Sequence, residues 1–164
     1  METASIGRAR KLARKLLKDS GCTTAPTLLR NVISYLKNES GLECAPLELS
    51  DALSGFLIED ENVTAIGYNN SHHIHRQRFS VAHEIGHFIL SHNNQRKYEL
   101  DRDRSNPIHE KEANIFAAEL LMPLELLKKD LKNTCDTEEL SKKYWVSKES
   151  MGWRIQDPVV LKYI

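Results

Sequence analysis

The run from about Gln77 to Ser91 most constrains what this chain can become. It contains no proline, abandons the alternation of the segment before it, and sets His83, Glu84 and His87 among apolar residues. A mixed apolar run of this length reads as a helix buried in the core. On a helix, residues four apart project from one face a turn apart, so His83 and His87 can share one ion. Glu84 lies about 100° round the same helix from His83, which lets it face a water beside the histidines without joining them as a ligand. Imidazole nitrogens suit zinc, and a catalytic zinc takes three protein ligands and leaves the fourth position to water. The competing use of His83 and His87 is a pair of core histidines satisfied by hydrogen bonds, so the pentapeptide needs context.

The context is a third ligand from another element. A second core helix is expected from about Pro107 to Leu121, ended by Pro123, and it carries Glu112 and Glu119 two turns apart on one stripe. Glu112 lies among small and apolar neighbours, where an unpaired carboxylate is costly to bury and a metal partner would explain it. Glu112 is therefore the expected third ligand and Glu119 the alternative. A surface glutamate in a charged first turn is the competing use of Glu112.

The rest of the chain frames these two helices. Ile6, Ala9, Leu12, Ala13, Leu16 and Leu17 give an amphipathic first helix stopped near Gly21, and a second helix is expected from near Pro26 to about Asn38. Residues 42–70 switch to short apolar stretches, Phe56 to Ile58 and Val63 to Ile66, which read as a small antiparallel meander. Residues 92–106 are polar, hence loop, with one short strand expected at Tyr98 to Leu100. Beyond Pro123, short helices follow, one capped by Asp136 with Glu139 three residues on and one opening at Ser147. The expected fold class is α+β. A chain of 164 residues suits one domain, 1–164, with N-terminal helices (1–41), a sheet with the metal-binding helices (42–123) and a helical tail (124–164).

Charge and cysteine usage remove some classes of function. Lys plus Arg and Asp plus Glu number 23 each, so the whole molecule exerts no pull on nucleic acid or an anionic membrane. Eight Lys/Arg stand against three acids in residues 1–40, and six acids against none in 41–70, which reads as a basic helix face beside an acidic region. Cys22, Cys44 and Cys135 form no CxxC pair and are expected as core thiols. With no membrane-length apolar run and no signal-peptide core at the start, a cytoplasmic location is expected.

The run Arg78 to His87, followed about 25 residues later by Glu112-Ala113-Asn114-Ile115-Phe116-Ala117-Ala118-Glu119-Leu120-Leu121-Met122-Pro123, resembles the ImmA/IrrE family of metallopeptidases. Ala9 to Leu17 and Glu139 to Ile155 resemble the family's opening helix and helical tail. The resemblance implies a minimal zincin-like core, a small sheet packed with the HEXXH helix and flanking helices. It maps His83, His87 and Glu112 to Zn2+ and Glu84 to the catalytic acid/base. It also implies a regulatory endopeptidase that cleaves a helix-turn-helix repressor of a mobile element or stress response, encoded nearby. The alternative from another class is a non-proteolytic sensor or scaffold that sequesters a regulator.

The chain departs from the family pattern at Trp145, where a glycine usually precedes Val-Ser, so the turn there is expected to differ. The helix pair around it looks like half of a DNA-binding motif. Residues 137–164, however, hold five Lys/Arg against four acids, a poor footprint for phosphate, and no nucleic-acid partner is expected. His72, His73 and His75 form a polar loop cluster without a matching acid. His109 and Tyr98 are candidates for polarising an oxyanion, and Arg76 and Arg78 read as anchors of the helix start or of a carboxylate.

Overall fold

The computed structural model describes residues 3–91 and 106–164, so the strand expected at Tyr98 to Leu100 lies outside the described residues. Two amphipathic helices open the chain. Helix α1 (Ile6–Asp19) buries Ala9, Ala13, Leu16 and Leu17, and α2 (Leu29–Ser40) buries Leu29, Val32 and Leu36 before ending at a left-handed Gly41, φ 72°. Helix α2 starts after Pro26 rather than at it: Leu28 is its extended N-cap, and tertiary bonds hold Thr27 outside the helix. The Thr27 hydroxyl donates to the Leu120 carbonyl at 2.8 Å, and its own carbonyl accepts from Arg78 at 3.0 Å.

Three strands follow: β1 (Glu43–Leu47), β2 (Gly55–Glu59) and β3 (Thr64–Asn69). The Asp60 carboxylate caps the β2–β3 hairpin by accepting from the Asn62 and Val63 N–H groups at 2.7 Å each. The sheet is mixed where a meander was expected. Its order is β1-β3-β2, with β2 antiparallel and β1 parallel to β3. A parallel partner requires the chain to cross from one edge to the other, and Asn69 pins that connection. Its buried amide donates to the carbonyls of Leu49, Ser50 and Leu53 at 3.0–3.2 Å. Pro46 sits in β1, an edge strand, where a missing N–H is tolerated.

Helix α3 (Ile74–Ile89) lies between the sheet and α4 (Pro107–Leu121), and α1 packs on α4. Leu57 and Ile66 of the sheet, Val81, Ala82 and Ile85 of α3, and Phe116, Ala117 and Leu120 of α4 join one core cluster. Gly86 sets the spacing between α3 and α4. A Cβ there would stand 3.2 Å from both the Cα and the carbonyl oxygen of Ala113 and 3.2 Å from the Phe116 ring. Lacking one, α3 settles directly onto the α4 backbone.

The tail forms α5 (Leu124–Asp130), α6 (Thr137–Tyr144), α7 (Lys148–Ile155) and α8 (Pro158–Leu161). Asp136 caps α6 through the Glu138 and Glu139 N–H groups, whereas the Glu139 carboxylate accepts from Thr134 instead of closing a box. Ser147 caps α7 through the Ser150 N–H. The turn between α6 and α7 keeps the shape glycine would give it. Trp145 adopts the left-handed conformation, φ 53° and ψ 50°, and its ring lies 5.6 Å from the Arg78 guanidinium carbon.

A buried ionic cluster ties the tail to the front of the molecule. The Glu119 carboxylate, fully buried, accepts from Arg154 at 2.5 Å and Arg14 at 2.9 Å, and Asp157 accepts from Arg10 at 2.6 Å. Helices α1, α4, α7 and the cap of α8 are thereby joined. Among the described residues, no helix is long and apolar enough to cross a membrane.

Candidate metal centre

Helix α3 opens with the polar histidine stretch. His73 is its N-cap and accepts the His75 N–H through Nδ1, while His72 Nε2 lies 3.2 Å from the Asp51 carbonyl. These histidines start a helix. Arg78, further along α3, is buried and donates to the backbone carbonyls of Trp145 and Thr27 at 3.0 Å each, tying the helix to two other segments. Arg76 donates to the Ser54 hydroxyl.

One turn further, α3 buries three ionisable groups together, with His83 9%, Glu84 2% and His87 1% exposed. His83 and His87 turn their Nε2 atoms toward each other at 3.0 Å, with rings edge-to-face. The carboxylate of Glu110 closes the triangle, Oε2 lying 3.2 Å from His83 Nε2 and Oε1 3.2 Å from His87 Nε2. Asn106 caps α4 through the Ile108 N–H and Pro107 begins it, which fixes Glu110 in the first turn facing α3. Burial pushes the Glu110 carboxyl up. The adjoining His83 and His87 rings outweigh this and hold it well below the ordinary carboxylate range.

Among the described residues, the structure brings Glu110 to the histidines, and the expected ligand Glu112 lies two residues on, about 200° round the helix. Glu112 is buried, as its neighbours implied, and its Oε1 accepts the Ser5 N–H at 2.5 Å at the start of α1. It lines a polar cleft with Arg8, Ser91 and His109. Glu119 belongs to the ionic cluster described above. Tyr98 lies outside the described residues. Sequence reasoning weighed Glu112 for its small and apolar neighbours and Glu119 for its place two turns on along the same stripe, and passed over Glu110. The missed signal is Gly86, which fixes which part of α4 lies over His83 and His87.

Glu84 points to the other wall of the site. Its Cγ would lie 3.7 Å from a Cβ on Gly55 of β2, so the absence of a side chain at Gly55 makes room for the carboxylate beneath the sheet. Among the described residues, His83, His87 and Glu110 form one group with ligand atoms all within 4.8 Å of one another. The group fits zinc in kind and in size. Atoms bound tetrahedrally at about 2.0 Å stand about 3.3 Å apart, and the separations here are 3.0–3.2 Å.

Comparison with known proteins bears on the family and the fold. A family model described as the IrrE N-terminal-like domain, peptidase M78, matches residues 47–156, which include β2, β3, α3 and α4. No curated protein matches the chain. A solved structure of a Mycobacterium tuberculosis transcriptional regulator is similar with TM-score 0.67 and 18% identity, over 93% of this chain and 48% of that one. At that identity the likeness is one of fold, and this chain spans about half of the regulator's length.

Proposed function

The chain belongs to the peptidase M78 family of IrrE N-terminal-like domains, and we propose that it is a zinc-dependent endopeptidase in which His83, His87 and Glu110 hold the ion. The observation that carries this reading is the convergence of two imidazoles from one turn of α3 with a carboxylate from the first turn of α4. An ion bound there would act as a Lewis acid toward a peptide carbonyl and acidify a water.

The chain's own residues supply the proton transfers. Glu84 is held on the same turn as the ligands and is almost fully buried against β2, so its carboxylate can take a proton from the attacking water and return it to the leaving amine.

The proposed substrate is a helix-turn-helix repressor encoded near this protein. Its support is the ImmA/IrrE resemblance, together with a fold neighbour called a transcriptional regulator. That same likeness favours a second reading, in which the fold binds and sequesters a regulator without cutting it. Incubating the purified protein with the neighbouring repressor separates the two. Fragments produced by the wild type and not by Glu84→Gln support the peptidase; relief of repression by both proteins without fragments supports the scaffold.

A further inference from the structure

Glu110 and Asn114 are four residues apart on α4 and therefore share one face. Glu110 meets His83 at Nε2. Asn114 meets the same ring from its other side, with Oδ1 2.9 Å from His83 Nδ1. An imidazole in contact at both nitrogens has little freedom to rotate, and its tautomer follows from what each contact can accept.

Building on the zinc reading above, we infer that Asn114 is a positioning residue for His83. Its side-chain oxygen accepts the Nδ1 proton, which leaves the Nε2 lone pair directed at the ion between His83, His87 and Glu110. The opposite orientation of the amide would donate to Nδ1 and oblige a neutral ring to carry its proton on Nε2, where it could not bind metal. The orientation in the structure, with Oδ1 toward Nδ1, is the one that serves a ligand. A partner of this kind typically changes metal affinity 10–100-fold. Asn114 is exposed, so water can substitute for it in part, and the expected effect lies at the lower end of that range.

The exposure also makes the test clean, since removing the side chain disturbs little packing. The full-length protein is titrated with Zn2+ as wild type, Asn114→Ala and Asn114→Asp, and melting of the metal-free proteins is recorded in parallel. The expected result is about 10-fold weaker zinc binding for Asn114→Ala, restored affinity for Asn114→Asp, which can only accept, and unchanged melting throughout. In long-range proton–nitrogen spectra of the zinc-loaded protein, the His83 Nδ1–H signal should persist in the wild type and Asn114→Asp and be lost to exchange in Asn114→Ala. Equal affinity of Asn114→Ala and wild type, or failure of Asn114→Asp to restore it, would overturn the inference while leaving the zinc site standing. A wild type that takes up no zinc would overturn both. Zinc uptake without peptide cleavage would end only the peptidase reading.

Discussion

Gly86 of α3 rests on the backbone of Ala113 in α4, so close that a Cβ on Gly86 would stand 3.2 Å from both the Cα and the carbonyl oxygen of Ala113. This contact determines which residues of α4 reach the histidines, because both ligand-bearing turns lie next to it. Gly86→Val should force the helices apart, destabilising the protein by about 1–3 kcal/mol and weakening zinc binding. Gly86→Ala should change stability by less than about 1 kcal/mol, the gain in helix propensity offsetting a crowding of a few tenths of an ångström. Urea unfolding and zinc titration of both variants check this. Unchanged zinc affinity in Gly86→Val would show that the spacing does not set the site.

Glu84 separates binding from turnover. Glu84→Gln should keep the wild-type zinc content and lose about 10²–10⁴-fold in hydrolysis rate, since the amide cannot exchange the proton. Metal analysis together with a peptide-cleavage assay reads both quantities. Cleavage at the wild-type rate would remove Glu84 from the mechanism.

The buried pair of Glu119 and Arg154, joined by the exposed Arg14, predicts an acid limb of stability. Burial pushes the Glu119 carboxyl up, but the Arg154 charge and the hydrogen bonds from Arg14, Arg154 and the Leu124 N–H outweigh it and hold it below its ordinary value of 4.5. A group depressed in the folded state contributes stability above its unfolded pKa and loses that contribution as pH falls through the folded one. Stability should therefore decline below about pH 4.5. Glu119→Gln leaves the buried Arg154 with Asp157, 3.3 Å away, as its remaining countercharge and should cost about 3 kcal/mol at neutral pH while flattening the acid limb. Denaturant melts between pH 3 and 7 measure both effects, and an acid limb unchanged in the variant would assign it to other carboxylates.

Trp145 holds a left-handed turn that glycine would adopt without strain. Trp145→Gly should relieve about 1 kcal/mol of backbone strain and lose a ring contact over Arg78 of similar size, leaving stability within about 1 kcal/mol of wild type. Trp145→Val gains no such relief and should be the less stable of the two by urea unfolding, because a branched Cβ tolerates positive φ poorly. The opposite order would mean that the indole contact dominates the turn.

The pattern of this contrast runs through the whole molecule. Features set by local chemistry were legible: helices 6–19 and 107–121, the caps at Asp136 and Ser147, and the burial of His83, Glu84 and His87 on one helix. Features set by tertiary contacts were not. The parallel pairing of β1 depends on a crossover pinned by the Asn69 side chain, which no alternation pattern encodes. The third carboxylate depends on how far α4 slides along α3. Glu110 and Glu112 are both plausible acids in a first turn; apolar neighbours and the family resemblance favoured Glu112, whose Oε1 accepts the Ser5 N–H.

Zinc-edge anomalous diffraction from crystals of the zinc-loaded protein tests the central claim most directly. The expected result is a single strong peak between His83 Nε2, His87 Nε2 and the Glu110 carboxylate, retained in Glu112→Gln and lost in Glu110→Gln. A peak held by Glu112, or no peak between the two histidines, would contradict the account.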